Sequence, residues 1–318
     1  MSHRSEHGGS PAAVLLMGCL VVLGAVLVGC GGGGPSGGLN AVGAVGVAAT
    51  GKIAFMSDRD GDWEIFVMNA DGTGQKKLTK NTASDASPAW SPDGQRIAFA
   101  SDRDGDWDIF VMDADGTSRK QLTHNTAWPD GEPAWSPDGQ KIAFQSNRFD
   151  GCKIFVMNAD GTGQTQLTSE ALTDDLNPAW SPDGQKIAFD SIEEHLPPLP
   201  PYIDDVIEVI NADGTGRTQL TGGWDSAPAW SPDGHEIAFS GSGEICVMNA
   251  DGTGRKQLTH STAYDGTPAW SPGGHRIAFS SNRDGDLEIF VVNADGTGQK
   301  KLTRNTFGDS DPAWCPVP

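Results

Sequence analysis

The chain after residue 50 is a succession of short apolar–polar alternations separated by turns rich in Gly, Pro and Asp. One unit predicts four strands, at Pro133–Ser136, Lys141–Ser146, Lys153–Met157 and Gln164–Thr168. The third strand is nearly all apolar, which indicates burial on both faces, whereas the fourth is polar and suits an exposed sheet edge. Ser-Pro-Asp-Gly and Asp-Gly-Thr-Gly provide turns between strands. The unit therefore predicts a four-stranded antiparallel sheet.

This unit recurs along the chain, because three signatures repeat in step with one another. An Ile-Ala-Phe triplet and an Asp-Gly-Thr turn accompany each Pro-Ala-Trp sequence. A single four-stranded sheet buries too little apolar surface to be stable alone, so neighbouring sheets must cover it. A period of 40 to 50 residues built from short strands is typical of the blades of a β-propeller. The tryptophans that mark the units are Trp90, Trp135, Trp180, Trp230, Trp270 and Trp314.

The two ends of the repeated region complement each other. The first unit begins at Gly51 with no Pro-Ala-Trp strand before it, and the last unit stops shortly after Pro312–Trp314. We therefore predict an all-β, six-bladed propeller over residues 51–318. Its blades are four-stranded and antiparallel, and the C-terminal strand closes the ring by joining the first blade.

Two stretches carry a family resemblance, Pro-Ala-Trp-Ser-Pro-Asp-Gly-Gln-Lys-Ile-Ala-Phe (178–189) and Ile-Phe-Val-Met-Asn-Ala-Asp-Gly-Thr-Gly (154–163). The repeats resemble the TolB-type, WD-like propeller repeats of bacterial envelopes across residues 51–318. The resemblance implies a propeller that binds a protein partner at its loop-bearing face and central funnel. A partner in the cell envelope is expected, with a peptidoglycan-associated lipoprotein as the named candidate.

The first 50 residues indicate export. Arg4 precedes an apolar run from Ala12 to Val28, and Leu27-Val28-Gly29-Cys30 resembles a bacterial lipobox. We expect residues 1–29 to be a lipoprotein signal peptide and Cys30 to be acylated; an ordinary secretory signal or an uncleaved anchor is the alternative. Residues 30–50 would form a Gly-rich tether of roughly 25 Å. The chain is then lipid-anchored in the bacterial envelope, with membrane contact only through that anchor.

Charge and cysteine content narrow the range of partners. The formal net charge is −20, which argues against nucleic acid as a partner and suits an envelope protein or one that meets cationic partners. Cys246 aligns with core phenylalanines of other repeats, and no spacing pairs Cys152 with Cys315. No structural disulfide is predicted.

A recurring aspartate precedes each Pro-Ala-Trp sequence by three residues. Six carboxylates at this position are expected to crowd the mouth of the funnel and bind a partner. Salt bridges between blades are the alternative, since Arg59, Arg103, Arg148 and Arg283 recur in loops of the same face. Blades 4 and 5 lack this arginine, so some carboxylates are expected to be unpaired. The aspartates are Asp85, Asp130, Asp175, Asp225, Asp265 and Asp309.

Aromatic residues in the same loops do not follow the repeat. Trp128, Trp224, Tyr264 and Phe307 are therefore predicted to rim the funnel and contact the partner, with local loop packing as the alternative. Blade 4 also carries an insertion within residues 190–206, which includes the Pro-rich stretch 196–202. This insertion is either a docking arm or a tolerated loop.

Catalytic chemistry has little support in the sequence. Residues 51–318 contain no Gly-x-Ser-x-Gly motif, His235 and His275 fall in turns of the opposite face, and only His195 is unexplained. Asp58–Asp62 lacks the spacing of an EF-hand calcium loop. We predict no catalytic residue, no metal and no cofactor. The expected function is a non-catalytic binding propeller; the alternatives are a glycan-binding or metal-dependent glycan-active propeller and a structural scaffold.

Overall fold

The computed structural model describes residues 51–124, 128–149, 151–170, 173–194 and 203–316. The predicted signal peptide, Cys30, the tether, His195 and the Pro-rich stretch 196–202 lie outside these residues. No helix in the described part of the chain is long and apolar enough to cross a membrane.

The described residues form six sheets, each with four antiparallel strands, and this confirms the predicted all-β, six-bladed propeller. From the axis outwards, blade 1 contains β24 (Asp309–Trp314), β1 (Lys52–Ser57), β2 (Glu64–Asn69) and β3 (Lys76–Lys77); blade 2 contains β4 (Asp85–Trp90), β5 (Arg96–Ser101), β6 (Asp108–Asp113) and β7 (Lys120–Gln121); blade 3 contains β8 (Asp130–Trp135), β9 (Lys141–Phe149), β10 (Gly151–Asn158) and β11 (Thr165–Gln166); blade 4 contains β12 (Thr173–Trp180), β13 (Lys186–Glu194), β14 (Ile203–Asn211) and β15 (Thr218–Gln219); blade 5 contains β16 (Asp225–Trp230), β17 (Glu236–Gly241), β18 (Glu244–Asn249) and β19 (Lys256–Gln257); blade 6 contains β20 (Asp265–Trp270), β21 (Arg276–Ser281), β22 (Glu288–Asn293) and β23 (Lys300–Lys301).

The ring is closed by its C-terminal strand, as predicted. Strand β24 pairs antiparallel with β1, so that Trp314 lies opposite Ile53 and Asp309 lies opposite Ser57. The backbone N–H of Cys315 also donates to the carbonyl of Lys52, at 2.8 Å. The two half-units at the ends of the repeated region therefore make one complete blade.

The apolar core lies between successive blades. Phe144 and Trp135 of blade 3, for example, pack in one buried cluster with Ile109 and Val111 of blade 2. Burial of each such side chain contributes about 1.5–3 kcal/mol, so the blades stabilise one another rather than themselves. The phenylalanine that ends each Ile-Ala-Phe triplet has no exposed surface in any blade; these residues are Phe55, Phe99, Phe144, Phe189, Phe239 and Phe279.

The inner and outer strands differ from the predicted ones. Strand β8 begins at Asp130, three residues before the predicted start at Pro133, and the outer strand β11 is only two residues long. The inner strand continues because it pairs through a bulge: Asp130 and Gly131 pair with β9, and the register then shifts before Ala134. The aspartates therefore lie in the inner strands and not in the loops before them.

The two faces of the ring carry different connections. We call loop face the side that bears the loops entering the inner strands and the hairpins between second and third strands. Backbone hydrogen bonds join these two kinds of loop, as from Asp102 N–H to the Ser84 carbonyl at 3.2 Å. We call turn face the opposite side, where Ala114 N–H donates to the Gln95 carbonyl at 2.8 Å. The sites described below belong to the loop face and to the axis.

Candidate functional site

The six inner-strand aspartates are buried and ion-paired. Each side chain is at most 1% exposed, and each carboxylate is bonded by an arginine of its own blade. Their predicted position at the mouth of the funnel is therefore wrong. The salt bridges expected with the four recurring arginines do form, but within blades and not between them. Since the carboxylates do not reach the surface, any role in binding must be indirect, and that role stays a prediction. The pairs are Arg59–Asp309 (2.9 Å), Arg103–Asp85 (2.8 Å), Arg148–Asp130 (2.8 Å), Arg217–Asp175 (2.9 Å), Arg255–Asp225 (2.5 Å) and Arg283–Asp265 (2.7 Å).

The arginine reaches the aspartate by one of two routes. In four blades it comes from the hairpin between the second and third strands, as in Arg59, whose second amino group donates to Gln75 at 2.8 Å. In blades 4 and 5, Arg217 and Arg255 occupy the position of that glutamine and extend to the aspartate instead. The predicted free carboxylates of blades 4 and 5 are therefore also wrong.

In blade 5 the second route is combined with a glycine on the second strand. The position that is serine in the other blades is Gly241, and a Cβ there would lie 2.5 Å from the Arg255 guanidinium. The guanidinium stacks 4.9 Å from the centre of the Phe239 ring. Burial of Asp225 raises its pKa, and the hydrogen bond and charge of Arg255 oppose that rise. Glycine thus leaves room for Arg255 in blade 5, whereas in blade 4 Arg217 donates to the hydroxyl of Ser191 at 2.9 Å.

Three of the predicted aromatic residues are exposed on the loop face. Trp128 is 47% exposed, Trp224 is 63% exposed and Phe307 is 45% exposed. They precede the inner strands of blades 3, 5 and 1, respectively. Trp224 has a φ of +42°, a left-handed conformation that costs a non-glycine residue roughly 1–2 kcal/mol. Exposed aromatic residues on one face of a rigid ring are typical of a protein-binding surface.

Tyr264 differs from the other three because its side chain is half-buried, between Gly243 of blade 5 and Gly266 of blade 6. A Cβ on Gly266 would lie 2.1 Å from the Tyr264 hydroxyl, and a Cβ on Gly243 would lie 3.9 Å from its ring. The ring therefore packs over two glycines. Local packing, the alternative left open by the sequence, describes Tyr264 better than a rim position does.

A further exposed aromatic residue, Phe149, was missed by the sequence analysis. It ends strand β9 at the tip of the blade 3 hairpin and is 59% exposed, with its ring centre 6.0 Å from that of Phe155. The signal was present in the sequence. Phe149 occupies the position that holds Asp60, Asp104 and Asp284 in other repeats.

A cavity of about 200 Å³ lies on the axis of the ring, lined by the residue before each inner-strand proline and by the proline itself. This residue sits at the bulge and has a positive φ in every blade, although none is glycine. The sequence analysis missed this ring. Its signal is that the position before proline holds a different residue in each blade, within a motif that otherwise repeats. The residues are Ser87, Glu132, Asn177, Ala227, Thr267 and Asp311.

Two carboxyl groups give the axial cavity its electrostatic character. Glu132 accepts a hydrogen bond from the Ser87 hydroxyl at 2.8 Å. Burial raises the pKa of Glu132 to about 8, and the nearby charge of Asp311 adds to the rise. Burial likewise raises the pKa of Asp311. At neutral pH the pair therefore retains a proton rather than two full negative charges.

Second-strand side chains satisfy several of the backbone N–H groups at the bulges. The Asn177 N–H donates to Gln145 at 3.1 Å, and the Ala227 N–H donates to Asp190 at 3.1 Å. Asp190 also accepts from the Asn177 amide at 3.1 Å. Burial raises the pKa of Asp190 to about 6. These bonds connect neighbouring blades around the axis.

The described residues contain no group of three or more His, Cys, Asp or Glu side chains placed to hold a metal ion. His235 and His275 lie in turns of the turn face, where their carbonyls accept from Ala250 and Ala294. Cys152, Cys246 and Cys315 are buried free thiols. Burial raises the pKa of the Cys246 thiol and keeps it protonated.

Comparison with known proteins bears on this six-bladed architecture. A family model described as the TolB beta propeller domain matches residues 48–130, 127–199 and 176–317, which together span most of the chain. The chain belongs to the TolB beta-propeller domain family.

Curated relatives match over one repeat only. The Tol-Pal system protein TolB of Desulfosudis oleivorans is 46% identical over 44 residues, which is 14% of this chain and 10% of that protein. The protein of the same name from Geobacter sulfurreducens is 46% identical over 46 residues, 14% of this chain and 11% of that protein. The match thus spans about a tenth of these relatives' length.

Solved structures support the fold of the family. TolB from Acinetobacter baumannii has a TM-score of 0.71 at 21% identity, over 84% of this chain and 67% of that chain. The putative TolB from Agrobacterium tumefaciens has a TM-score of 0.65 at 21% identity, over 82% and 92%. An oligogalacturonate lyase in complex with manganese has a TM-score of 0.54 at 15% identity, over 80% and 74%. At these identities the likeness concerns the fold alone.

Proposed function

We propose that this TolB-family propeller is a non-catalytic binding module of the bacterial cell envelope that docks a protein partner on its loop face. The observation that carries the proposal is the placement of the exposed large apolar side chains. Among the described residues these are Trp128, Phe149, Trp224 and Phe307, and all four lie on the loop face.

The architecture supports this use of the loop face. The strands are fixed by interlocked apolar clusters between blades and by a buried ion pair within each blade. Variation is concentrated in the loops of one face, as is common where a rigid scaffold presents a binding surface. These aromatic residues are 45–63% exposed, so a partner that covers them removes further apolar surface from solvent.

The names of the relatives support an envelope partner. Both curated relatives are Tol-Pal system proteins, and we propose a partner of that kind for this chain, with a peptidoglycan-associated lipoprotein as the named candidate. We further propose that Cys30 carries a lipid anchor, that residues 1–29 are removed and that residues 30–50 form the tether. The acidic net charge of −20 adds an electrostatic component to docking on a cationic partner.

The test compares wild-type protein with a Trp128→Ala, Trp224→Ala double variant in capture from envelope extracts, with the captured protein identified by mass spectrometry. Loss of two exposed anchors should weaken capture by about 1–3 kcal/mol for each residue. The melting temperature should remain close to that of wild type, because Trp128 and Trp224 are 47% and 63% exposed and belong to loops rather than to the core between blades.

The matched control is a His235→Ala, His275→Ala double variant, which removes two exposed rings from the turn face. Its capture should equal that of wild type. If the tryptophan variant captures the partner as well as wild type does, the binding site is not on the loop face. If the propeller retains a polysaccharide and no protein, the glycan-binding alternative replaces this proposal.

A further inference from the structure

Strand β14 of blade 4 carries a carboxylate at a position that is uncharged in the other blades. Asp205 aligns there with Trp63, Trp107, Cys152, Gly243 and Leu287. In four of the other five blades the carbonyl at this position accepts from the first residue of the next inner strand, as from Asp85 N–H to Trp63 at 2.6 Å and from Asp309 N–H to Leu287 at 2.7 Å. The position therefore lies beneath the loop that enters the next blade. In blade 4 that loop contains Trp224.

Asp205 is not balanced by a cation within the described residues. Its Oδ1 atom is buried and has no hydrogen-bond partner there. The charged groups that act on the Asp205 carboxyl are Asp190 on β13 and Asp225 on β16, and both are carboxylates. Asp225 is itself bonded to Arg255. Burial raises the pKa of Asp205 to about 8, and the two neighbouring carboxylates add to the rise.

Blades 1 and 6 balance a buried acid on the third strand, one position after that of Asp205, with a lysine of the outer strand, whereas blades 2 and 5 have glutamine at the lysine position. Glu64 of blade 1 is bonded by Lys77 at 2.9 Å. Glu288 of blade 6 is bonded in the same way by Lys301 at 3.0 Å. Blade 4 has Gln219 at the lysine position, so this source of positive charge is missing. Among the described residues no cation is bonded to Asp205, so its carboxyl is neutral when it is protonated, and in its ionised form it can pair with a cation of another molecule.

Trp224 provides the second element of a cation site. It directly precedes Asp225, whose strand β16 packs beside β14, and its side chain is 63% exposed. Its carbonyl accepts from Ser242 N–H at 2.9 Å, in the two-residue hairpin of blade 5. The blade 4 hairpin is longer, because β13 and β14 still pair at Glu193 and Asp204. Trp224 therefore lies between the long hairpin of blade 4 and the short hairpin of blade 5.

We propose that Asp205 and Trp224 form a receptor for one cationic side chain, a lysine ammonium or an arginine guanidinium, of the protein that docks on the loop face. The indole face attracts a cation, and the carboxylate supplies the opposite charge beneath it. This proposal rests on the proposed function and names the chemistry that the partner must present. The acidic net charge of the chain favours the approach of such a group.

Binding of the cation depends on the ionisation of Asp205, and this fixes the sign of the pH effect. With a pKa of about 8, the carboxyl is mostly protonated at pH 7 and mostly ionised at pH 9. If only the ionised form attracts the cation, affinity should rise about tenfold between these two pH values. The pKa of Asp190 is about 6, so this carboxyl contributes little to the change over this range.

The test uses the full chain with ¹⁵N-labelled tryptophan and follows the Trp224 indole signal by NMR, assigned with Trp224→Phe. The probes are Nα-acetyl-arginine amide and Nα-acetyl-lysine amide, with the uncharged Nα-acetyl-citrulline amide as the matched neutral probe. We expect a saturable shift of the Trp224 signal with the two cations only, and about tenfold tighter binding at pH 9 than at pH 7.

The variants separate Asp205 from the general acidity of the surface. Asp205→Asn should weaken binding about tenfold at pH 9 and remove the pH dependence. Glu193→Gln, which neutralises an exposed carboxylate on the same hairpin, should behave as wild type does. A thermal unfolding curve confirms that each variant is folded. Equal shifts from the citrulline probe, or unchanged binding by folded Asp205→Asn, would overturn the proposal.

Capture from envelope extracts distinguishes a failure of the cation receptor from a failure of the proposed docking function. A partner captured equally well by wild type and by Asp205→Asn would leave the docking function standing and refute the cation receptor. Capture of no partner by wild-type protein would refute the docking function, while the titration with the small probes would still decide whether the receptor exists.

Discussion

The two routes by which an arginine reaches the inner aspartate give a sharp prediction. Arg255 and Arg119 occupy the same repeat position, but only Arg255 bonds a buried carboxylate, that of Asp225 at 2.5 Å. Arg119 donates to the carbonyl of Leu78 instead, at 2.7 Å, because Arg103 already pairs with the aspartate of blade 2. We expect Arg255→Ala to destabilise the fold strongly and Arg119→Ala to do so weakly.

The magnitude follows from the burial of the two partners. Removal of one member of a buried ion pair costs about 3–5 kcal/mol, because the other charge is left uncompensated. The Asp225 carboxylate is fully buried, but the Arg255 side chain is 42% exposed, so solvent screens part of the interaction. We therefore expect about 3 kcal/mol for Arg255→Ala. Loss of one hydrogen bond to a carbonyl should cost Arg119→Ala about 1 kcal/mol.

Thermal and urea unfolding, followed by circular dichroism at pH 7 and pH 4, provide the assay. For a chain of this size about 3 kcal/mol corresponds to roughly 6–12 °C in melting temperature. The pH dependence has a definite sign. Without Arg255 the folded-state pKa of Asp225 rises further above its unfolded value, so the penalty is present near pH 7 and disappears where both states are protonated. The difference between wild type and Arg255→Ala should therefore shrink at pH 4.

One result would refute this reasoning. If Arg255→Ala and Arg119→Ala lower the melting temperature equally at pH 7, and if the loss does not change at pH 4, then Asp225 does not depend on Arg255. A second comparison checks the packing argument. Gly241→Ser should be less destabilising in the Arg255→Ala background than in wild type, because the guanidinium 2.5 Å from the added Cβ is gone, although Asp225 Oδ1 and Cys246 Sγ still lie 3.0 Å from it.

Two further predictions concern the axial cavity and the leader. Because the pKa of Glu132 is raised to about 8, the unfolded state binds fewer protons than the folded state above pH 5, and stability should fall as pH rises towards 8. Glu132→Gln should remove that slope, and its free energy of unfolding in urea at pH 8 should exceed that of wild type by at least about 1 kcal/mol. The control Glu193→Gln should show neither effect. Parallel pH profiles of stability for wild type and Glu132→Gln would contradict this prediction. Cys30→Ala should abolish labelling by a fatty-acid analogue in cells that label the wild type, and equal labelling of both proteins would rule out acylation at Cys30.

The sequence by itself determined the number of blades, their strand order and the closure of the ring. It did so because the apolar pattern repeats six times, and because each sheet is a local unit whose turns can be recognised from their Pro, Asp and Gly residues. The half-unit ending at Trp314 could be paired with the half-unit beginning at Gly51 from the repeat alone. The candidate rim residues Trp128, Trp224 and Phe307 could likewise be recognised, since the repeat does not require them.

Only the tertiary structure decided which groups are buried and which face the axis. The bulge in each inner strand reverses the expected direction of the side chains, so Asp225 is buried while Ala227 and Glu132 line the axial cavity. Sequence spacing could not show that Arg255 reaches Asp225 from a turn 30 residues away. The physical reason is that burial and ion pairing depend on strand register and on contacts between distant turns, and neither is encoded in the local periodicity of the chain.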